Sequence, residues 1–229
     1  FNSVINGRAE LHPSVNDYDW LGSGIYFWEQ NYARAYQWAQ EPCKRRGSGE
    51  PAVIGGVIDL DYCLNLTDAR FIDLLRREYG FLKSDLEMMG LEMPHNAGKT
   101  EDKLLRRLDC AVVEHLHARM KLEQAKHKES SSISVAPFDS ARGLFSEGNV
   151  IYPGAGFRAK THVQICVRNP NCIKGYFVPR EANSEWRIPW RALMPGIGEA
   201  IAIVIGKIVS TCSFLLRLVC YQMKGGHAR

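Results

Sequence analysis

Residues 19–39, "DWLGSGIYFWEQNYARAYQWA", govern how the rest of the chain is read. Gly22 and Gly24 punctuate a turn, and Ile25-Tyr26-Phe27 reads as a short buried strand. From Glu29 to Ala39, the residues Tyr32, Ala35, Tyr36 and Ala39 recur at helical spacing, so a helix opening with an acid follows the strand directly. A tight glycine turn lets backbone approach a ligand closely, because no Cβ intervenes. A packed strand-turn-helix with aromatic filler has the same pattern, and this segment alone does not separate the two.

Upstream, residues 1–14 read as a short helix carrying Phe1, Val4 and Ile5 that stops at Gly7, then a connector to Pro13. Downstream, "CKRRGSGEP" (43–51) is a polar loop and "AVIGGVIDL" (52–60) a strong strand. Thr67 or Asp68 caps a helix over 69–79. The clearest amphipathic helix is "TEDKLLRRLDCAVVEHLHARM" (100–120), with Leu104, Leu108, Ala111, Val112 and Leu116 on one face. Charged, serine-rich "KLEQAKHKESSSIS" (121–134) reads as a surface loop or frayed end. Residues 138–157 form a glycine-punctuated loop, and "THVQICVRN" (161–169) and "CIKGYFVP" (172–179) are two late strands. Strands interleaved with helices predict a mixed α+β domain.

The 229 residues hold one domain, or one domain and an appendage. A net charge of +4 is too slight a bias to imply nucleic acid. The seven cysteines (43, 63, 110, 166, 172, 212 and 220) are scattered, with no C-x-x-C pair. They read as reduced core thiols of an intracellular, cytoplasmic protein rather than a disulfide frame or zinc site. No secretory signal opens the sequence, and its start at Phe1 suggests a fragment missing upstream residues. The tail from Gly196 to Tyr221 is mostly apolar and long enough to span a bilayer. Glu199, Lys207 and Arg217 weigh against that, because a mid-span lysine is costly. A core-docked or poorly ordered helix is favoured over a membrane helix. The expected division is therefore a domain over 1–192 and an apolar tail over 193–229.

Taken with its flanks, the opening stretch resembles the diphtheria-toxin-type ADP-ribosyltransferases, the group that includes the poly-ADP-ribose polymerases. That group carries His, Tyr and Glu on three separated segments. Its second segment runs Gly-x-Gly-Ile-Tyr-Phe before an acid and a helix, matched by Gly22-Ser23-Gly24-Ile25-Tyr26-Phe27. An apolar helix, a glycine and a proline precede it, as do Ile5, Gly7 and Pro13. In the late segment Gln164 takes the glutamate place, with Asn169 five residues on and Ile173 nine on. The resemblance covers about 1–40 and 140–179. It implies an ADP-ribosyltransferase-like fold, a split mixed β-sheet with surrounding helices.

It also implies a site. NAD would lie in a cleft with its nicotinamide against Tyr26, and Tyr36 could supply a second aromatic wall. Gly22, Ser23 and Gly24 would bring backbone to the nicotinamide ribose. Gln164 keeps an acceptor oxygen for a ribose hydroxyl, but it has no charge and cannot act as a base. Glu147 is the carboxylate best placed to compensate, and Arg142 could hold the pyrophosphate bidentately. His162 alternates with Gln164 on one strand face and so falls near the cleft. The family's histidine has no counterpart: it would precede Phe1, and His12 beside Pro13 reads as a surface histidine. His115 and His117 flank Leu116 and point to different helix faces, so no metal is expected. The expected activity is NAD-dependent transfer of single ADP-ribose units to a protein or nucleic-acid acceptor. The alternative is an inactive module of the same fold that binds NAD or ADP-ribose.

Overall fold

After the glycine turn the chain stays extended for longer than three residues. β1 spans Ile25–Glu29, and a left-handed Gln30 ends it. The structure, a computed structural model, describes residues 1–98, 100–127 and 136–180 and the backbone of 217–222. Glu29 therefore closes a strand rather than opening a helix. The helix, α2 (Tyr32–Arg46), starts where Asn31 can accept the amide of Arg34 on its side chain. It runs through Pro42 to a left-handed Gly47. Residues 43–46, expected as loop, form its last turn, where Lys44, Arg45 and Arg46 complement the negative helix end.

The other helices shift in the same way. The short α1 (Asn2–Ile5) lies where expected. Asp68 caps α3 (Ala69–Met89), which passes Gly80 and continues a further nine residues to a left-handed Gly90. α4 (Arg107–His127) begins late, because Leu105 is held in a bridge to Ala97, and Leu104 is exposed. It buries Cys110, Val112, Val113, Leu116 and His117, and it continues over 121–127, expected as loop. Residues 128–134 of that expectation lie outside the described residues.

The remaining strands are β2 (Val53–Ile58), β3 (Cys63–Asn65), β4 (Ser140–Phe145), β5 (His162–Val167), β6 (Ile173–Phe177) and β7 (Arg217–Gln222). The expected loop 138–157 thus contains a strand. The seven strands form one sheet in the order β3-β4-β5-β1-β7-β2-β6. Every described pairing is antiparallel except β3 with β4. This is a mixed α+β architecture, but the sheet is continuous rather than split. β7 accounts for the difference, since it pairs with β1 on one side and β2 on the other and closes the gap between two halves. Residues 217–222 of the expected apolar tail therefore belong to the sheet. Residues 181–216 and 223–229 lie outside the described residues. Among the described residues no helix is long and apolar enough to cross a membrane.

Strand alternation assigns the two faces. Ile25, Phe27, Ile54, Ile58, Ile165 and Val167 build one core with Val4 of α1 and Leu11. On the other face Tyr26, Ala141 and Cys166 pack with Leu64 and with Val113 and Leu116 of α4. Farther along that face Trp28 meets Ala35 and Tyr36 of α2. The sheet surface between these last two clusters is where a cavity opens.

Candidate functional site

The β1–β5 ladder sets Tyr26 opposite Cys166 and Trp28 opposite Gln164, and the β4–β5 ladder sets Phe145 opposite His162. All six side chains share one sheet face. On that face, between the α4 contacts and α2, lies a cavity of about 400 Å³. Such a volume lies within the range of small-molecule sites, roughly 300–1,000 Å³. Tyr26, Trp28, Gln164 and Phe145 line it from the sheet, Trp38, Arg45 and Arg46 from α2, and Trp20 from the turn. The exposed Leu104 and His12 complete part of the wall.

Tyr26 presents a ring to this cavity and withholds its hydroxyl. The phenol donates to Gly22 O at 2.8 Å and accepts the Leu21 amide at 3.0 Å, closing the glycine turn upon itself. Burial, with Cys166 and Asp19 beside it, raises its pKa well above the ordinary tyrosine value, so it stays protonated. Cys166 next to it is a buried thiol pushed up to about 12 by burial.

The turn glycines do a different job from the one expected. Gly22 has φ +80, and a Cβ there would strike Glu114 Oε1 and the Arg168 guanidinium. Ser23 donates its amide to the same Glu114 oxygen at 2.6 Å. A carboxylate from α4, not a ligand, is therefore what approaches the backbone at Gly22 and Ser23. A Cβ at Gly24 would meet Cys166 Sγ and Val167 O, so this residue permits close strand pairing while still lining the cavity.

Gln164 accepts a hydrogen bond from Trp20 Nε1 at 2.5 Å. Gly143, opposite Gln164 on β4, makes this reach feasible: a Cβ there would stand 2.6 Å from the Trp20 ring. Glu147 lines the cavity at 5% exposure, with both oxygens taking hydrogen bonds from Arg34 Nη2 at 2.7 and 2.6 Å. Arg34 is itself 4% exposed, and its Nε and Nη1 have no partner. His162, buried behind Trp28 and Phe145, places Nδ1 at 2.6 Å from Lys160 O and 3.9 Å from Glu147. Burial is the main cause that lowers its pKa, assisted by the Arg34 charge.

Two expected residues fall elsewhere. Arg142 faces the opposite side of the sheet, because Gly143 is the β4 residue registered with Gln164 and neighbours alternate. There it donates to Glu29 at 2.7 Å and to Asn65 and Thr67 at 3.2 Å, so it is a structural pair partner. Tyr36 stacks on Tyr32 along α2 and packs against Trp28 and Val53, outside the cavity wall. Asn169 caps the turn before β6 and donates to Asp139. His115 bridges Glu78 and Asp85 on α3, whereas His117 contacts Val113 O.

Trp20, Trp28, Arg34 and Trp38 were not singled out in the sequence. Period-2 alternation from Tyr26 would have put Trp28 on the same face. Arg34 and Trp38, four apart on α2, could have been read as one helix side.

No family model matches the chain, and no solved structure matches it. Over 173 residues it is 25% identical to an uncharacterized protein of Methanocaldococcus jannaschii, covering 72% of this chain and 76% of that one. The match brings no activity with it.

Proposed function

We propose that the chain belongs in fold and activity with the ADP-ribosyltransferases: it binds NAD in the cavity beside Tyr26 and transfers single ADP-ribose units to a protein or nucleic-acid acceptor. One observation carries this reading. Gly24 and Tyr26 of the glycine-tyrosine segment and Gln164 of the late strand, distant in sequence, line a single cavity. The indoles of Trp20, Trp28 and Trp38 and the rings of Tyr26 and Phe145 suit a flat heteroaromatic group. Arg45 and Arg46 on the same wall can pair with phosphate.

In such a reaction the bond between the nicotinamide nitrogen and ribose C1′ breaks. Its electron pair leaves with the nicotinamide, and an acceptor nucleophile then attacks the oxocarbenium-like carbon and loses its proton. Tyr26 supplies a ring wall and no proton, since its hydroxyl is tied to the turn. A neutral Gln164 orients without charge stabilisation. Glu147 is the buried carboxylate of the site, with its charge matched by Arg34.

That neutralised pair favours a second reading, a module that binds NAD or ADP-ribose without turnover. Calorimetric titration of the full chain with NAD, followed by transfer of label from NAD to added acceptors, separates the two. Binding with labelling supports the transferase, and binding without labelling selects the module. Absence of both defeats the family reading.

A further inference from the structure

His12, a surface histidine by its sequence, is exposed and yet lines the cavity. An antiparallel bridge joins Ser14 to Gly24, with Ser14 N donating to Gly24 O at 2.8 Å and Gly24 N to Ser14 O at 3.0 Å. β5 already occupies one edge of β1, where Ile25 pairs with Val167, so the 12–14 segment lies along the other edge. Two residues out from the bridge, the antiparallel register brings His12 level with Tyr26. Its neighbour Leu11 is buried in the core of the opposite sheet face with Ile25 and Phe27. Tyr26 therefore stands between β5, which carries Gln164, and the segment that carries His12, and all three residues line one cavity.

Transfer of ADP-ribose needs a group that takes the acceptor's proton, and the other cavity-lining side chains that could serve are held elsewhere. Gln164 has no basic atom. The Tyr26 hydroxyl is held by Gly22 O and the Leu21 amide. Both Glu147 oxygens accept from Arg34, and Asp19 accepts from the amide and the side chain of Asn16 at 2.9 and 3.3 Å. Glu41 lies 3.8 Å from Lys160 Nζ. An imidazole takes up and returns a proton near neutral pH, which none of these groups offers.

We propose that His12 is the catalytic base that accepts the proton of the incoming nucleophile. This rests on the transferase reading and deepens it by naming the group that activates the acceptor. As the bond between the nicotinamide nitrogen and ribose C1′ breaks, its electron pair leaves with the nicotinamide. The acceptor oxygen or nitrogen forms the new bond to C1′, and its proton passes to a ring nitrogen of His12, which then returns it to water.

The test uses the full chain and NAD, with water as the acceptor and nicotinamide release as the reading. His12→Ala removes an exposed ring, so the fold should hold, and calorimetry should give an NAD affinity within about twofold of wild type. Nicotinamide release should fall about a hundredfold, the lower end of what a general base contributes. Azide is the second probe, an anion with no proton to lose that attacks C1′ without a base. Added to His12→Ala, it should restore nicotinamide release and yield ADP-ribosyl azide, a recovery that loss of a merely structural contact would not show. A drop smaller than about threefold, a parallel loss of NAD affinity, or no recovery with azide overturns the role of His12 and leaves the transferase reading standing. A wild-type chain that binds NAD without releasing nicotinamide, or binds none, overturns the transferase reading and the role of His12 with it.

Discussion

Glu114 Oε1 accepts the backbone amide of Ser23 at 2.6 Å and, on the same oxygen, a hydrogen bond from Arg168 Nη1 at 2.7 Å. A second bond joins Arg168 Nη2 to Oε2 at 3.2 Å. One carboxylate on α4 thereby ties the glycine turn of β1 to the end of β5. Burial alone would raise the Glu114 carboxyl, but the Arg168 and Ser23 hydrogen bonds outweigh it and hold it below the usual range. The turn that sets Tyr26 into the cavity wall is thus braced from behind by α4.

Replacing Glu114 by Ala should accordingly cost about 2 kcal/mol, because a mostly buried guanidinium and a backbone amide lose their acceptor together. Urea denaturation measures it. A change under about 0.5 kcal/mol would mean the turn holds itself without α4.

The Arg34–Glu147 pair makes a sharper case. Both side chains are nearly inaccessible, so Glu147→Gln leaves a buried guanidinium unpaired, at a cost of about 3–5 kcal/mol. Adding Arg34→Met should recover most of that loss in the double variant, as removal of the second charge ends the mismatch. On the transferase reading, labelling from NAD disappears in the double variant although its stability has returned. Persistent labelling there would remove Glu147 from the chemistry.

Gly143→Ala tests the Trp20 position. Its Cβ would stand 2.6 Å from the Trp20 ring, forcing the indole off Gln164. Overpacking of this kind costs about 1–3 kcal/mol, visible as a lowered melting temperature. An unchanged melting temperature would show that the Trp20 ring yields without cost.

Acid sensitivity should come from His117. It is 1% exposed, and burial, reinforced by the Arg168 charge, lowers its pKa to about 4. An unfolded histidine protonates near pH 6.5, so below that the unfolded chain binds a proton the folded chain refuses. This contribution is whole above about pH 6.5 and declines as pH falls toward 4, by a total of about 3 kcal/mol. His162, shifted in the same direction, adds to the decline. Chemical denaturation at intervals between these limits follows it, and His117→Gln should flatten the curve. An equally steep profile in that variant would place the sensitivity elsewhere.

The elements that came through from sequence are those whose own residues specify them. A helix cap at Thr67 or Asp68, which the structure places at Asp68, the apolar run of β2, the two late strands and the strand after Gly24 all rest on spacing of a few residues. Errors gathered where a boundary depends on a partner. The pattern around Leu104 continues the α4 periodicity, yet a bridge to Ala97 pulls it out of the helix. Glycines in 138–157 suggested a loop, although Gly143 is a strand residue kept small by Trp20. Because 140–145 is a strand, alternation puts Arg142 on the opposite sheet face from Gln164.

By itself the sequence determined that an aromatic strand follows a glycine turn and that Gln164 sits on a later strand, because both follow from local periodicity and turn chemistry. Only the tertiary structure decided that β7 joins the sheet halves, that Glu114 rather than a ligand fills the turn, and that Arg34 meets Glu147. Those outcomes depend on hydrogen bonds and charges brought together from far along the chain, and no spacing between neighbours in sequence encodes which distant group will answer them.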